Sequence, residues 1–526
     1  MIRTWRAVAV LVSAMLLAGC GVAFTKGPVT YYVSADGDDD ASGLRPERAW
    51  ASLERATEQE LAPGETIVLT GDRPLPGTLR VTSEDAGAPE LPVRITADES
   101  FPGIVAEGKA GIDIVDTSGV EVSGVDIIVE GDAPVDGVLV TVSPGGGRHS
   151  AITLRDLAID GAYQGVAVGA ERAGDGFDGV TIEAVHVTGA QRNGIITYGA
   201  TAPDYALSDL RIRDSVVTGT RGIEREEVNT GSGIVIGSVD GAVVERNDTS
   251  RNGAESHAPE GPIGLWTHDS TDVIIRDNTS HHNRSGWTDG GGFGVDISAT
   301  DVLVERNLSH DNHGAGFLVY THGKGTPTGR VTFRYNASVG DGHTDQLPSG
   351  FAVLGGLDTD DPDVFVHDIH LHHNTVVTRG GDGAGASALL LMGTVRNLRV
   401  HHNILDTSAG SAPAVRIRSF DAAGQLEFAA NQLAVSPQVP LLDWDGGLAH
   451  DIDEVSGFLP GAGHNVARAP DFLDRDDLPN GLAVHSPLRV AFPPTTDLRV
   501  EPATGDLLGR PIAGGEDSVG AVSPRD

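Results

Sequence analysis

The 526-residue chain holds one cysteine, Cys20, so no disulfide can form within it. Lysine is almost missing: Lys26, Lys109 and Lys324 are the only three among 37 basic residues, leaving 34 arginines. Coding bias explains that preference as well as chemistry does. Aromatic residues make up 5% of the chain, too few for an aromatic-rich core. Beyond residue 20 no apolar run approaches the ~20 residues that a spanning helix needs. Helical 3.6-residue patterning of useful length is confined to residues 52–61, which excludes alternating βαβ crossovers. Positive charge is outweighed as well. Seventy-four acids leave a net charge of −37, which argues against nucleic acid and anionic membrane surfaces as partners. It also disfavours a highly anionic polysaccharide, unless a local basic patch offsets it.

What the chain has in abundance is glycine, 70 residues, and a repeat. A short apolar strand ends in Asn, a Ser or Thr often follows two positions later, and a Gly-led second strand comes next. The unit reads VVERNDTS, VIIRDNTS, VLVERNLS, VTFRYNAS, IHLHHNTV, LRVHHNIL and LEFAANQL, marked by Asn247, Asn278, Asn307, Asn336, Asn374, Asn403 and Asn431. A near-constant period of about 30 residues signals stacked coils, because one coil cannot bury its apolar side chains alone. Stacking at about 4.8 Å turns equivalent residues into columns. The Asn column is then expected as an internal ladder, with Asn supplying the left-handed turn conformation of a corner. The column Thr249, Ser280, Ser309 and Ser338 is likewise expected inside.

These features resemble the right-handed parallel β-helix repeat proteins, the pectate-lyase-like superfamily. The resemblance implies an all-β, single-stranded solenoid with an N-terminal capping helix and an irregular C-terminal cap. It implies little about the reaction, because one solenoid hosts many chemistries.

In chain order, residues 1–20 read as an export signal: Arg3 and Arg6, an apolar core, and Leu17-Ala18-Gly19-Cys20, which resembles a bacterial lipobox. Lipidation at Cys20 would tether the domain to the extracytoplasmic face of the membrane through residues 21–30. Residues 31–110 form an N-terminal cap and first coils, with the helix at 52–61. Residues 111–458 form the solenoid core and 459–526 a C-terminal capping segment. The charged excursion at 221–230 reads as a surface loop. Asp36, Asp38, Asp39 and Asp40 could hold Ca²⁺ through hard oxygen ligands, but the run lacks the EF-hand's Glu and spacing, which favours a plain solvated turn. A monomer is the default expectation.

Histidine is unevenly placed: 12 of the 19 lie between His257 and His373. Aligning PIGLWTH, GFGVDIS, GFLVYTH and GFAVLGG sends Ile263/Leu265, Phe293/Val295, Phe317/Val319 and Phe351/Val353 inward. The same alignment sends Trp266, Asp296, Tyr320 and Leu354 outward in one column, followed by His268, Ser298 and His322. A carboxylate flanked by aromatics suits a pyranose-binding groove. The coil after Asn278 carries five extra residues around Trp287-Thr288-Asp289, and such insertions rim grooves.

Three functions fit these residues. A carboxylate-based glycoside hydrolase would use Asp296 with Asp311 or Asp289, His313 or His322 tuning protonation, and Trp266, His268, Trp287 and Tyr320 holding sugar. A lyase or epimerase on uronates would use Lys324 or an arginine with Ca²⁺. A non-catalytic glycan-binding scaffold, or a metal-handling protein, is the third. The pairs His281/His282, His372/His373 and His401/His402 are expected to point to opposite faces of their strands, and so to serve poorly as joint ligands.

Overall fold

The computed structural model describes residues 27–523, apart from 86, 225–227, 323–326, 344–346, 358–360, 362, 380–384, 422–425, 460–462, 475–476, 478–479, 485–502 and 513–517. Cys20 and Lys324 lie outside the described residues. Among those described, no helix is long and apolar enough to cross a membrane.

Each coil of the solenoid contributes three short strands, and about 12 coils stack. One coil comprises Ile263–His268, Thr271–Arg276 and Thr279–His281; the next comprises Gly291–Val295, Thr300–Glu305 and Leu308–His310. Each strand of the first coil pairs in parallel with its equivalent in the next, so the three strands generate three faces of a prism. Phe293, Phe317 and Phe351 stack inside at 5.0 and 4.7 Å between ring centroids. Val295, Val319 and Val353 join them in one continuous core.

The Asn column forms the expected ladder at the corner between the second and third faces. Asn278 Nδ2 and the Asn278 backbone N–H both donate to Asn307 Oδ1, each at 3.0 Å, and the second Nδ2 hydrogen reaches the Val244 carbonyl at 2.9 Å. The same pattern runs from Asn247 to Asn431 and extends to Asn465. A second ladder, Asn252–Asn283–Asn312, ends on the buried carboxylate of Asp341. The Ser/Thr column is internal too, with Thr249 Oγ1 donating to Ser280 Oγ at 2.9 Å.

The left-handed residue, however, is the one before each Asn. Arg246, Asp277, Arg306, Tyr335, His373 and His402 have φ between 52° and 57°. The Asn backbone N–H must aim along the prism axis at the next amide, so the chain turns just ahead of it. This also overturns the expectation for the histidine pairs. His282, His373 and His402 take the left-handed turn, which swings both rings of each pair to one side, with Nδ1–Nδ1 distances of 2.8, 2.7 and 2.9 Å.

The arginines find a use on the second face. Arg155, Glu183, Arg213, Glu245, Arg276, Glu305 and Arg334 occupy one column in alternating sign. Arg213–Glu183, Arg276–Glu245 and Arg334–Glu305 approach to 2.9, 2.6 and 2.7 Å.

The ends differ in detail from expectation. The first helix is Leu53–Thr57, capped by Ser52 Oγ accepting from Arg55 N, and it buries Leu53 and Ala56. It stops short of residue 61 because the Leu61 N–H turns away to Asp85 Oδ1, and Pro63 disfavours helix before it. A second helix, Ile452–Phe458, was not legible; it packs beside the antiparallel hairpin Leu442–Trp444/Gly447–Ala449. Within 459–526, Phe472, Leu482, Val484, Val519 and Val522 lie against Leu308, Val339, Val377 and Ile404. That segment therefore runs along the apolar outside of the third face as well as closing the end. Asp39 accepts from the N–H groups of Ala51 and Ser52, and Asp36 pairs with Arg73, so the acidic turn holds the first helix in place.

Removing one ladder amide orphans its neighbours in the dry interior. Asn307→Ala is expected to destabilise the domain by about 3 kcal/mol or more in chemical denaturation. Arg330→Gln, which breaks the half-exposed pair with Asp301, should cost under about 1 kcal/mol.

Candidate active site

The outward column is built differently from the one read off the sequence. Leu265 pairs with Phe293 and Trp266 with Gly294, a slip of two residues in the first of the aligned strands. A two-residue slip preserves inward and outward alternation, so the apolar pattern could not detect it. Continuing the register past Thr267–Val295 and Val295–Val319 places Asp296 between His268 and Tyr320, with Leu354 next.

Trp266 is 8% exposed and does not stand on an open wall. Its ring belongs to an outer apolar cluster with Ile263, Leu318, Leu354 and Leu390, and Nε1 donates to Ser232 Oγ at 3.1 Å. Gly294 makes this packing available: a Cβ there would stand 2.9 Å from Ile263 Cδ1 and 3.0 Å from Trp266 Cβ. Ile263, expected inside, thus packs outside.

Over this cluster lies a cavity of about 940 Å³, and its lining gathers Trp266, His268, Trp287, Asp289, Asp296, Tyr320 and His322. The extra residues after Asn283 form one wall and carry Asp289 and Trp287, whose indole is 63% exposed. The excursion at 221–230, expected as a plain surface loop, supplies Val228 and Asn229 to another wall. Arg192, Asn193, Glu260, Asp269 and Met392 also line the space and were missed.

Asp289 is held in a left-handed conformation, φ 59°, and its Oδ2 accepts the Gly261 N–H at 3.2 Å. Glycines on both neighbouring coils make room for it. A Cβ on Gly261 would meet Asp289 Cβ at 2.8 Å, and one on Gly314 would meet the Asp289 carbonyl oxygen at 2.6 Å. Asp296 Oδ1 accepts the N–H of Ile297 at 2.7 Å.

Both carboxyls are half-buried by surface, but their open side faces the cavity and protein surrounds the rest. Burial pushes Asp289 up to about 6 against the Gly261 hydrogen bond. Burial pushes Asp296 further, to about 8, and the negative charges of Asp289, Glu260 and Asp269 add to it. Two carboxyls in one cavity therefore differ in proton affinity, the arrangement that acid–base catalysis uses. Around them, His268 Nδ1 hydrogen-bonds Asp269 Oδ2 at 2.9 Å, and His322 stacks on Tyr320 at 5.0 Å.

Two expected partners lie elsewhere. Asp311 occupies a left-handed corner at the end of the third face, bound by His310 Nδ1 at 2.8 Å and Arg379 Nη1 at 2.6 Å. His313 donates its backbone N–H to the Asn283 carbonyl and does not line the cavity. Both follow third-face strands, whereas Asp296 directly follows a first-face strand.

Residues 145–337 match the family model described as right handed beta helix region. The fold is a right-handed parallel β-helix. Comparison with curated proteins gives no sequence match. Among solved structures, the GH136 lacto-N-biosidase from Eubacterium ramulus is similar at TM-score 0.50 and 17% identity, over 77% of this chain and 67% of that one. The PL6 family alginate lyase AlyGC is similar at TM-score 0.53 and 13% identity, over 95% of this chain and 59% of that one. This chain thus spans less than two thirds of the lyase's length. At such identities the likeness is one of fold.

The raised carboxyl of Asp296 sets a pH dependence. Its folded value lies above the unfolded value of about 4, so the stability it contributes is complete below about pH 4 and lost as pH rises through about 8. Asp296→Asn is expected to flatten the decline of Tm across that window and to melt above wild type at pH 9. Parallel Tm curves for the two proteins would contradict this.

Proposed function

We propose that the protein is a glycan-processing enzyme, exported and lipid-anchored through Cys20, that hydrolyses glycosidic bonds with Asp296 and Asp289. The observation that carries the reading is the carboxyl pair in one cavity, with proton affinities pushed apart to about 8 and about 6. Between those values Asp296 holds a proton while Asp289 is ionised. Asp296 then acts as general acid, donating to the glycosidic oxygen as the bond to the anomeric carbon breaks. The Asp289 carboxylate faces the developing positive charge, either attacking that carbon or taking a proton from the attacking water. His268 and Tyr320, the coil neighbours of Asp296, border the leaving-group side, and the exposed Trp287 indole offers a face for a sugar ring.

Cavity charge favours hydrolysis of a neutral glycan over elimination from a uronate. Among the described residues, Glu260, Asp269 and the ionised Asp289 line the space beside one guanidinium, Arg192, and this excess of carboxylates would repel a substrate carboxylate. The fold likeness to both a glycosidase and a lyase is compatible with either chemistry and does not choose.

The test is a panel of neutral and acidic oligosaccharides offered to the mature domain, with product analysis. Asp296→Asn and Asp289→Asn are each expected to lower kcat/KM about 10²–10⁴-fold on the substrate that wild type cleaves. The wild-type profile should be bell-shaped, with limbs near pH 6 and 8 that belong to the coupled pair. Full activity in either variant would remove the assignment, and saturable binding without turnover would favour a scaffold. Trp287→Ala should raise KM about fivefold to tenfold with kcat retained, as expected for roughly 1 kcal/mol of stacking.

A further inference from the structure

We propose that His281, His282 and His310 form a binding site for one divalent transition-metal ion of the zinc class. The site lies at the corner that follows the third face, outside the catalytic cavity. One ring nitrogen from each residue lies within 4.8 Å of the other two, and among the described residues this is the group of three potential ligands that comes so close.

The coil stack creates the cluster. His281 and His310 hold equivalent positions on adjacent coils, and their rings stack at 4.7 Å and 3°. His282 takes the left-handed turn ahead of ladder residue Asn283, which brings its ring to the same side, Nδ1 facing His281 Nδ1 at 2.8 Å. A second observation points to a cation. Asp311 Oδ2 lies 2.8 Å from His310 Nδ1, and Asp248 Oδ2 lies 3.4 Å from His281 Nε2. A carboxylate only accepts, so Asp311 places the His310 proton on Nδ1 and leaves Nε2 as the ligating nitrogen, while the short His281 Nδ1–His282 Nδ1 contact shares one proton that an ion would displace. A carboxylate behind a ligating imidazole is the usual outer support of a metal site. Arg379 in turn holds Asp311 through its other oxygen, at 2.6 Å.

Three neutral imidazoles select a borderline ion such as Zn²⁺ over Ca²⁺ or Mg²⁺, which take oxygen ligands. Zinc–nitrogen bonds of about 2.0–2.1 Å set tetrahedral ligands about 3.3 Å apart, so the parallel rings of His281 and His310 must tilt toward each other to share an ion. An ion here would join two coils at the foot of residues 284–290, which carry Trp287 and Asp289. Arg251 is the cation that faces His282 and opposes binding.

Tag-free protein, stripped with EDTA and desalted, is titrated with zinc chloride by calorimetry, and Co²⁺ replaces Zn²⁺ for visible absorption. Wild type should bind one equivalent and give a tetrahedral Co²⁺ spectrum. His281→Gln and His310→Gln should abolish both, and Asp311→Asn should weaken zinc about 10–100-fold. No saturable binding by wild type would overturn the proposal. So would unchanged binding in the His variants, which would direct attention to the buried histidines near His401. Should the His variants fail to fold, Asp311→Asn decides, because unchanged affinity there would equally overturn the site.

Discussion

Coil-to-coil register is the constraint on which everything else in this molecule depends, and the asparagine ladders hold it. Each ladder amide satisfies both its N–H bonds and both acceptor sites of its oxygen only when the next coil sits at one height and one rotation. Any slip would leave amide groups unpaired in a dry interior, at a cost of about 1–3 kcal/mol for each orphan. Apolar contacts alone are more forgiving, since valine columns tolerate a two-residue shift without exposing anything. The stacked phenylalanines deepen the core, but the amides decide which residue lies above which.

The same columns that build the prism also build its functional groups. On the second face an alternating row of arginine and glutamate uses the coil spacing for ion pairing. At the third-face corner that spacing parallels two histidine rings. On the first face it sets His268, Asp296 and Tyr320 side by side. Departures from regularity then supply what repetition cannot. The insertion after Asn283 and the excursion at 221–230 raise walls over a flat face, and the enclosure raises the proton affinities of Asp289 and Asp296. Asp289 is held there in a left-handed conformation with Gly261 and Gly314 close on either side, a backbone arrangement that the surrounding coils must support.

Much of this was legible beforehand, for reasons specific to particular residues. The Asn spacing predicted the ladder, and the inward phenylalanines followed from alternation. The site candidates Asp296, Asp289, Trp287, His268, His322 and Tyr320 came from one regular window with one insertion, and the structure gathers them around one cavity. Their neighbours Arg192 and Met392 were invisible because they come from other coils and carry no shared motif, and Glu260 because it sits in the bend ahead of the Ile263–His268 strand, outside the repeat. Asp311 looked like a partner because it follows the same aligned passage, but its strand belongs to another face. The helix Ile452–Phe458 escaped notice because seven residues with one buried apolar side chain make no period.

By itself, then, the sequence determined the coil, its length and its inward residues, because each of these is a local consequence of repeat spacing and of alternation along a strand. Only the tertiary structure decided which outward residues meet, on which side a left-handed corner throws its histidine, and how deeply two carboxyls are enclosed. Those depend on register between coils and on walls contributed from distant segments. Neither quantity is encoded in the order of residues along any one turn.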